Sequence, residues 1–366
     1  MATPVMFIGD IAVPPGVAMA PGTWRDLFTG PTVANLEGGL VGPHERPPSR
    51  HQLFNTTRVV DYLDALNVRA VTLANNHITD VAPSPQTTID LLAARNIAAC
   101  GAGACLEEST RPVTFDDGGR LRVFLAFGWE VIGCRAARAA RPGVNPLRPQ
   151  ALLSAVERAR AAHPDATITL LVHWNYEFEL FPQPMHRQLA FAAVERGADA
   201  VVGCHPHCVG GVEIHRGAPI VYSLGNWLLP HGVFFGGRLR YPPAADLQLA
   251  FEWQPEDGNM VCHWFEYQRR DHSLVHLRSE HVADSQWIAE RTPFAGMPHD
   301  EYTRWFGAHR RRRRGLPVYA DYRNAGPNWC RDRYVGLRNR AIRALMLFHL
   351  KAGPSMAPTR RARGVQ

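Results

Sequence analysis

The chain contains no apolar run that reaches the roughly 18 residues a membrane-spanning helix needs. Its first stretch, Met1 to Val13, lacks a basic region and is interrupted by Asp10, so it does not read as a signal peptide. These two absences predict a soluble, cytoplasmic protein. No Cys-x-x-Cys pair occurs among the seven cysteines, which argues against a zinc ribbon or a thioredoxin-type motif. The cysteine number is odd, the chain is large and an export signal is missing, so a disulfide framework is not expected. There is no Gly-x-Ser-x-Gly elbow and no P-loop. Gly101-Ala102-Gly103 has Leu106 where a dinucleotide fingerprint needs its third glycine.

What remains is an ordinary globular composition: 366 residues, 46% hydrophobic and 20% charged, with mean hydropathy −0.20. That excludes wholesale disorder, collagen and a coiled-coil rod. The formal charge of +7 is local. Arg310 to Arg314 form one run, and Arg360, Arg361 and Arg363 sit in a Pro/Gly-containing tail; without them the body is close to neutral. No nucleic-acid-binding face and no membrane partner are expected. If the arginine patches bind anything, an acidic peptide segment or a phosphate suits them.

Short β-branched runs read as buried strands at 4–9, 32–36, 69–73, 121–127, 167–172 and 199–203. Helical patterns fall between them at 57–66, 86–95, 150–162 and 185–196. The alternation predicts a layered α/β fold. Residues 247–253 and 260–267 flank Asp257-Gly258-Asn259, a hairpin signal, with a further strand expected from 273. Residues 283–330 read as irregular, and 331–350 as a C-terminal helix with Tyr334, Leu337, Ile342, Leu345, Met346 and His349 near helical spacing. The expected organisation is a metal-binding domain over 1–240, a hairpin and helix over 241–352, and a disordered basic tail over 353–366.

Several strands end in a group able to bind a metal or move a proton: Gly9-Asp10, Asn35-Leu36-Glu37, Asn75-Asn76-His77, His173-Trp174 and Gly203-Cys204-His205-Pro206-His207. In open α/β sheets, ligands bind beyond the carboxyl ends of the strands. A mixed set of carboxylate, amide oxygen and imidazole suits a hard-to-borderline divalent ion (Ca, Mn, Mg, Fe or Zn) rather than a structural zinc, which prefers thiolates. If 203–208 continued as a strand, His205 and His207 would face one way while Cys204, Pro206 and Cys208 faced elsewhere. The cysteines then read as packing residues.

Phe7-Ile8-Gly9-Asp10, Ala34-Asn35-Leu36-Glu37-Gly38, Leu73 to Asp80, Val172-His173-Trp174, Val202 to His207 and Ile220 to Trp227 together resemble the CapA/PgsA family. That family is named for poly-γ-glutamate capsule synthesis and belongs to the calcineurin-like metallophosphoesterase superfamily. The resemblance covers roughly residues 4–230. It implies a four-layer α/β/β/α sandwich with the site at one edge of the sheets. By position, Asp10 and His207 would hold one metal, and Glu37 would bridge or orient a metal-bound water. Asn76, His173 and His205 would surround a second position, with His77 as general acid/base. The superfamily's Asp-x-His reads Asp10-Ile11-Ala12 here, its second Asp reads Leu40, and its His-Trp-Gly reads His173-Trp174-Asn175. Asp80 is then the nearest group to orient His77, at i+3. A single-metal or water-rich site fits these departures.

Three reactions suit such a site: phosphoester hydrolysis, assembly or cleavage of a γ-glutamyl polymer, and epimerisation at a peptide Cα. The last needs one group to remove the proton and another to return it. His77 with Asp80, and Asp10 with His207, would supply them. Together with the Arg-rich segments and the missing export signal, this makes a peptide substrate the favoured expectation, in resemblance to the stand-alone epimerases of lasso-type peptide pathways. Trp174, Glu177 and Asn226 are the expected substrate contacts. A metal-stabilised binding module is the non-enzymatic alternative.

Overall fold

The computed structural model describes residues 3–14, 17, 22–42, 52–81, 85–311 and 315–347. Its fourteen principal strands are β1 (Val5–Ile11), β2 (Thr32–Leu36), β3 (Val68–Thr72), β4 (Ala98–Cys100), β5 (Val113–Asp116), β6 (Leu121–Gly128), β7 (Thr167–His173), β8 (Ala200–Cys204), β9 (Val212–His215), β10 (Ala218–Val221), β11 (Asn226–Leu228), β12 (Leu247–Gln254), β13 (Asn259–Gln268) and β14 (Ser273–His281). They form two sheets. The first, of eight strands, runs β14-β13-β12-β1-β2-β3-β4, with β11 also pairing β1; the second, of six, runs β9-β10-β8-β7-β6-β5. Pairing is parallel at the heart of each sheet. The hairpin β12–β13 joins β1 antiparallel, so the chain after residue 240 extends the first sheet.

The layering follows from period-two alternation. In β1, Met6 and Ile8 pack with Val59, Leu63 and Leu92 from helices α1 (Arg58–Ala65) and α2 (Gln86–Ala93). Val5 and Phe7 point the other way and meet Phe124, Leu171 and Val202 of the second sheet. That sheet's outer face, with Val123, Leu125 and Ile168, packs on α3 (Pro149–Ala162) and α4 (Pro184–Glu195) through Leu152, Val156 and Leu189. The order is helix, sheet, sheet, helix, the expected α/β/β/α sandwich. Burying each large aliphatic or aromatic side chain contributes about 1.5–3 kcal/mol.

Several expectations need correction. The short strands β4, β5, β9 and β10 have no counterpart in the sequence pattern, because runs of three or four residues carry too little periodicity. Residues 283–330 are largely ordered rather than irregular: Gln286–Arg291 is helical, and α5 (His299–His309) buries Tyr302 and Phe306 beside Phe294 and Tyr319. Ser285 caps the first of these helices by accepting from the Ile288 N–H. The C-terminal helix, α6 (Ala325–Leu347), begins six residues earlier than expected. Its buried anchor is Val335, while Tyr334 and Leu337 are exposed. The tail 353–366, Arg312–Arg314 and His349 lie outside the described residues. All seven cysteines are free thiols. No helix among the described residues is long and apolar enough to cross a membrane.

Candidate metal centre

The carboxyl ends of β1, β2, β3, β7 and β8 meet at one edge of the two sheets. Asp10 lies on β1, fully buried. A side chain at Gly9 would run into the carbonyl of Gly225, so glycine there lets the two backbones touch. Gly225 itself has φ +73°, a left-handed conformation that suits glycine. The approach sets Asn226 opposite Asp10. Asn35 donates to Asp10 Oδ1 at 2.7 Å.

Glu37 follows β2 and is fully buried. Asn75 staples its loop to the next one. Its Oδ1 accepts from the N–H groups of Gly38 and His77, each at 3.2 Å, and its Nδ2 donates to Leu36 O. His77 Nδ1 lies 2.8 Å from Asp80 Oδ2, and its Nε2 faces Glu37 Oε1 at 3.9 Å. Asp80 thus fixes the His77 ring, while Leu40 is buried in the core.

His173 ends β7, with its Nε2 2.8 Å from Asn76 Oδ1. Its ring centre is 4.8 Å from that of His205, which is 5.6 Å from that of His207. His205 and His207 do not reach the site by strand alternation, because β8 stops at Cys204. Both adopt positive φ, 98° and 58°. The turn presents both rings to one point while Cys204 packs between the sheets. His207 Nδ1 lies 2.9 Å from Asn226 Oδ1 and 3.1 Å from Asp10 Oδ2. Metal-capable atoms of Glu37, His205 and His207 all lie within 4.8 Å of one another.

The donor set fits a divalent cation. Neither oxygen of Glu37 and not Nδ1 of His173 has a hydrogen-bond partner among the described residues, although burying a polar atom unpaired is costly. Burial, then the Asp10 charge, pushes the Glu37 carboxyl up to about 8. Burial also raises Asp10, but the bond to His207 and that ring's charge outweigh it, leaving Asp10 below its ordinary value. Burial pulls His207 down, and Asp10 and Glu37 more than reverse this, to about 9. Burial holds His173 near 3, hence neutral and able to ligate. For His77, burial is outweighed by its bond to Asp80 and by the Asp80 and Glu37 charges, so its value is raised. A cation here would be held by Glu37, His205 and His207, with Asp10, His173 and Asn76 adjoining.

Two expected substrate contacts are placed elsewhere. Trp174 is buried at 1% exposure; its Nε1 donates to Tyr222 O and its ring stacks on His186. Adjacent strand-end residues face opposite ways, so His173 looks into the site and Trp174 into the core. Asn226 is also buried and orients His207. Glu177 is exposed on the loop after β7, and its charge reaches His207. Asn175 has φ +69°, which asparagine tolerates better than most residues. Asn35 and Asn75 stand in the sequence motifs without a role that spacing alone could assign. Tyr241, whose ring packs 4.9 Å from His207, comes from a loop without periodicity and gives no sequence signal.

The chain is 30% identical over 175 residues to the PGA biosynthesis protein CapA of Bacillus subtilis (strain 168), covering 47% of this chain and 46% of that protein. It is 27% identical over 239 residues to a probable polyglutamine synthesis accessory protein of Mycobacterium tuberculosis (strain H37Rv), covering 63% and 62%. The chain therefore spans about half the length of the Bacillus relative. A crystal structure of a hypothetical protein from Thermus thermophilus is similar at 17% identity and a TM-score of 0.43, covering 76% of this chain and 98% of that one. The family model described as bacterial capsule synthesis protein PGA_cap matches residues 27–230, a stretch that holds every site residue named here except Asp10 and Tyr241, and the chain belongs to that family.

Proposed function

We propose that this chain is a divalent-metal-dependent enzyme acting on a polymer of the kind its relatives are named for, with His77 as the proton-transfer group. The observation that carries this is Glu37: a fully buried carboxylate with both oxygens unsatisfied, set against two histidines whose nitrogens lie within ligating reach. A cation bound there supplies Lewis-acid polarisation of a substrate carbonyl or phosphoryl oxygen. The chain's own part is proton handling. Asp80 holds His77 Nδ1, which turns Nε2 toward the cluster. The raised His77 value favours its protonated form, so Nε2 is set to give a proton to a leaving group. The His77 and Asp80 side chains are 20% and 25% exposed, whereas those of His207 and Asp10 are 6% and 0%. Of these two pairs, the first is the more open to a substrate.

The test is turnover of poly-γ-glutamate by the full chain with Mn²⁺, followed by polymer length, with p-nitrophenyl phosphate as a parallel arm. Loss of turnover in His77→Ala is the expected result. No turnover of either compound with any divalent ion overturns the reading. Normal polymer binding by His77→Ala, without turnover in the wild type, instead favours a binding module.

A second reading, epimerisation at a peptide Cα, rests on the presence of two His–carboxylate pairs at 2.8 and 3.1 Å. It predicts deuterium incorporation from D₂O at one Cα of a peptide substrate. Unlabelled peptide after prolonged incubation counts against it.

A further inference from the structure

Arg310 and Arg311, the described start of the arginine run, are fastened beside the site. Helix α5 ends at His309, and the chain then delivers Arg310 and Arg311 to the loop that leaves β7. Buried Glu179, on that loop, accepts the backbone N–H of Arg311 with both oxygens, at 3.0 and 3.3 Å. The Arg311 guanidinium lies over the Phe178 ring, 5.3 Å from its centre. The centre of that ring is 6.1 Å from the His207 ring centre and 5.9 Å from that of Tyr241. Phe178 is held in turn by its N–H, which donates to Pro206 O between the two site histidines. One aromatic ring therefore separates an arginine from the metal cluster.

Arg311 is exposed, and its guanidinium forms no ion pair with a carboxylate among the described residues. The two site histidines beside it do have carboxylate partners, His77 with Asp80 and His207 with Asp10. Arg310 is directed away, over Phe306 at 5.7 Å. Stacking on a ring fixes the guanidinium plane while leaving its edge N–H groups free to pair with an oxyanion. Arg311 lies beyond the stretch matched by the family model.

We propose that Arg311 is a specificity residue at the mouth of the metal centre, binding an anionic group, carboxylate or phosphate, carried by the substrate. The inference rests on the reading of the cluster as the reacting centre. Its test needs neither metal nor turnover, so the two can fail separately. Binding of two probes to the full chain is measured by calorimetry with EDTA present: an α-linked hexaglutamate peptide and inorganic tripolyphosphate, with hexaglutamine as the uncharged control. Arg311→Ala is expected to weaken whichever anion binds by about tenfold or more, as loss of a charged hydrogen bond implies. Arg311→Lys should recover part of the loss, and Arg216→Ala, at an exposed arginine beside Glu195, should change nothing. The probe that responds identifies the anion. Equal binding by wild type and Arg311→Ala, or binding of neither anion, overturns the proposal. Metal content measured on the same preparations reports separately on the cluster.

Discussion

Glu213 and Glu37 are both buried glutamates, and they are buried for different reasons. Glu213 receives Arg187 Nε and Nη2, each at 2.7 Å, and the Tyr222 hydroxyl at 2.6 Å. Arg187 also donates to Met297 O and lies over the Tyr302 ring. Every charge there has its partner inside the protein, so the network ties β9, α4 and α5 together and has nothing left to offer a ligand. Glu37 sits among Asp10, His77 and His207 with neither oxygen accepting a hydrogen bond. A closed network is architecture; an open one of the same residue types is a binding site.

The comparison breaks most visibly if one partner of the closed network is removed. Arg187→Ala leaves Glu213 charged, buried and half paired, and should cost about 3–5 kcal/mol of stability in urea unfolding. The open site should behave oppositely. Without cation, Glu37→Gln removes a buried carboxyl group with no hydrogen-bond partner and should leave stability equal or higher. With cation at about 100 times its dissociation constant, the wild type should gain about 2.7 kcal/mol and the variant should not.

The pH dependence sharpens the same contrast. The Glu37 value is about 8 in the folded chain against an ordinary 4.5. Between those values the folded state holds a proton that the unfolded state has lost, so stability falls as pH rises through that window. Wild type minus Glu37→Gln should show the decline without cation and lose it when Mn²⁺ is added, in unfolding midpoints read from pH 4.5 to about 8. A smaller effect is expected from Asp80→Asn. It should lower the His77 value in an NMR titration, because the hydrogen bond and charge that raise it are gone, while metal content stays the same. Smallest is Glu177→Gln, an exposed change expected to stay within about 0.5 kcal/mol.

Much of the sandwich is legible in the sequence because parallel strands buried on both faces read as near-continuous apolar runs. Val5 to Ile8 and Leu121 to Phe127 are such runs. The convergence of Asp10, Glu37, Asn76, His77, His173, His205 and His207 is legible for a related reason: strand ends in such folds share an edge. What escapes is anything decided by a turn. His205 and His207 reach the site through positive φ, a feature their pattern does not announce. Trp174 reads as a substrate contact because it neighbours His173, but at a strand end neighbours diverge. Arg311 reaches the mouth only because a buried glutamate 132 positions away holds its backbone, a pairing that local sequence cannot show.

The central claim is that distant side chains converge on one cation. Elemental analysis of the full chain after incubation with Mn²⁺, Zn²⁺ and Ca²⁺ and exhaustive dialysis tests it most directly. Stoichiometric retention of a divalent ion by the wild type, lost in Glu37→Gln and His205→Ala but kept in Arg187→Lys, is the predicted result. A folded wild type that retains none of the three ions would contradict it.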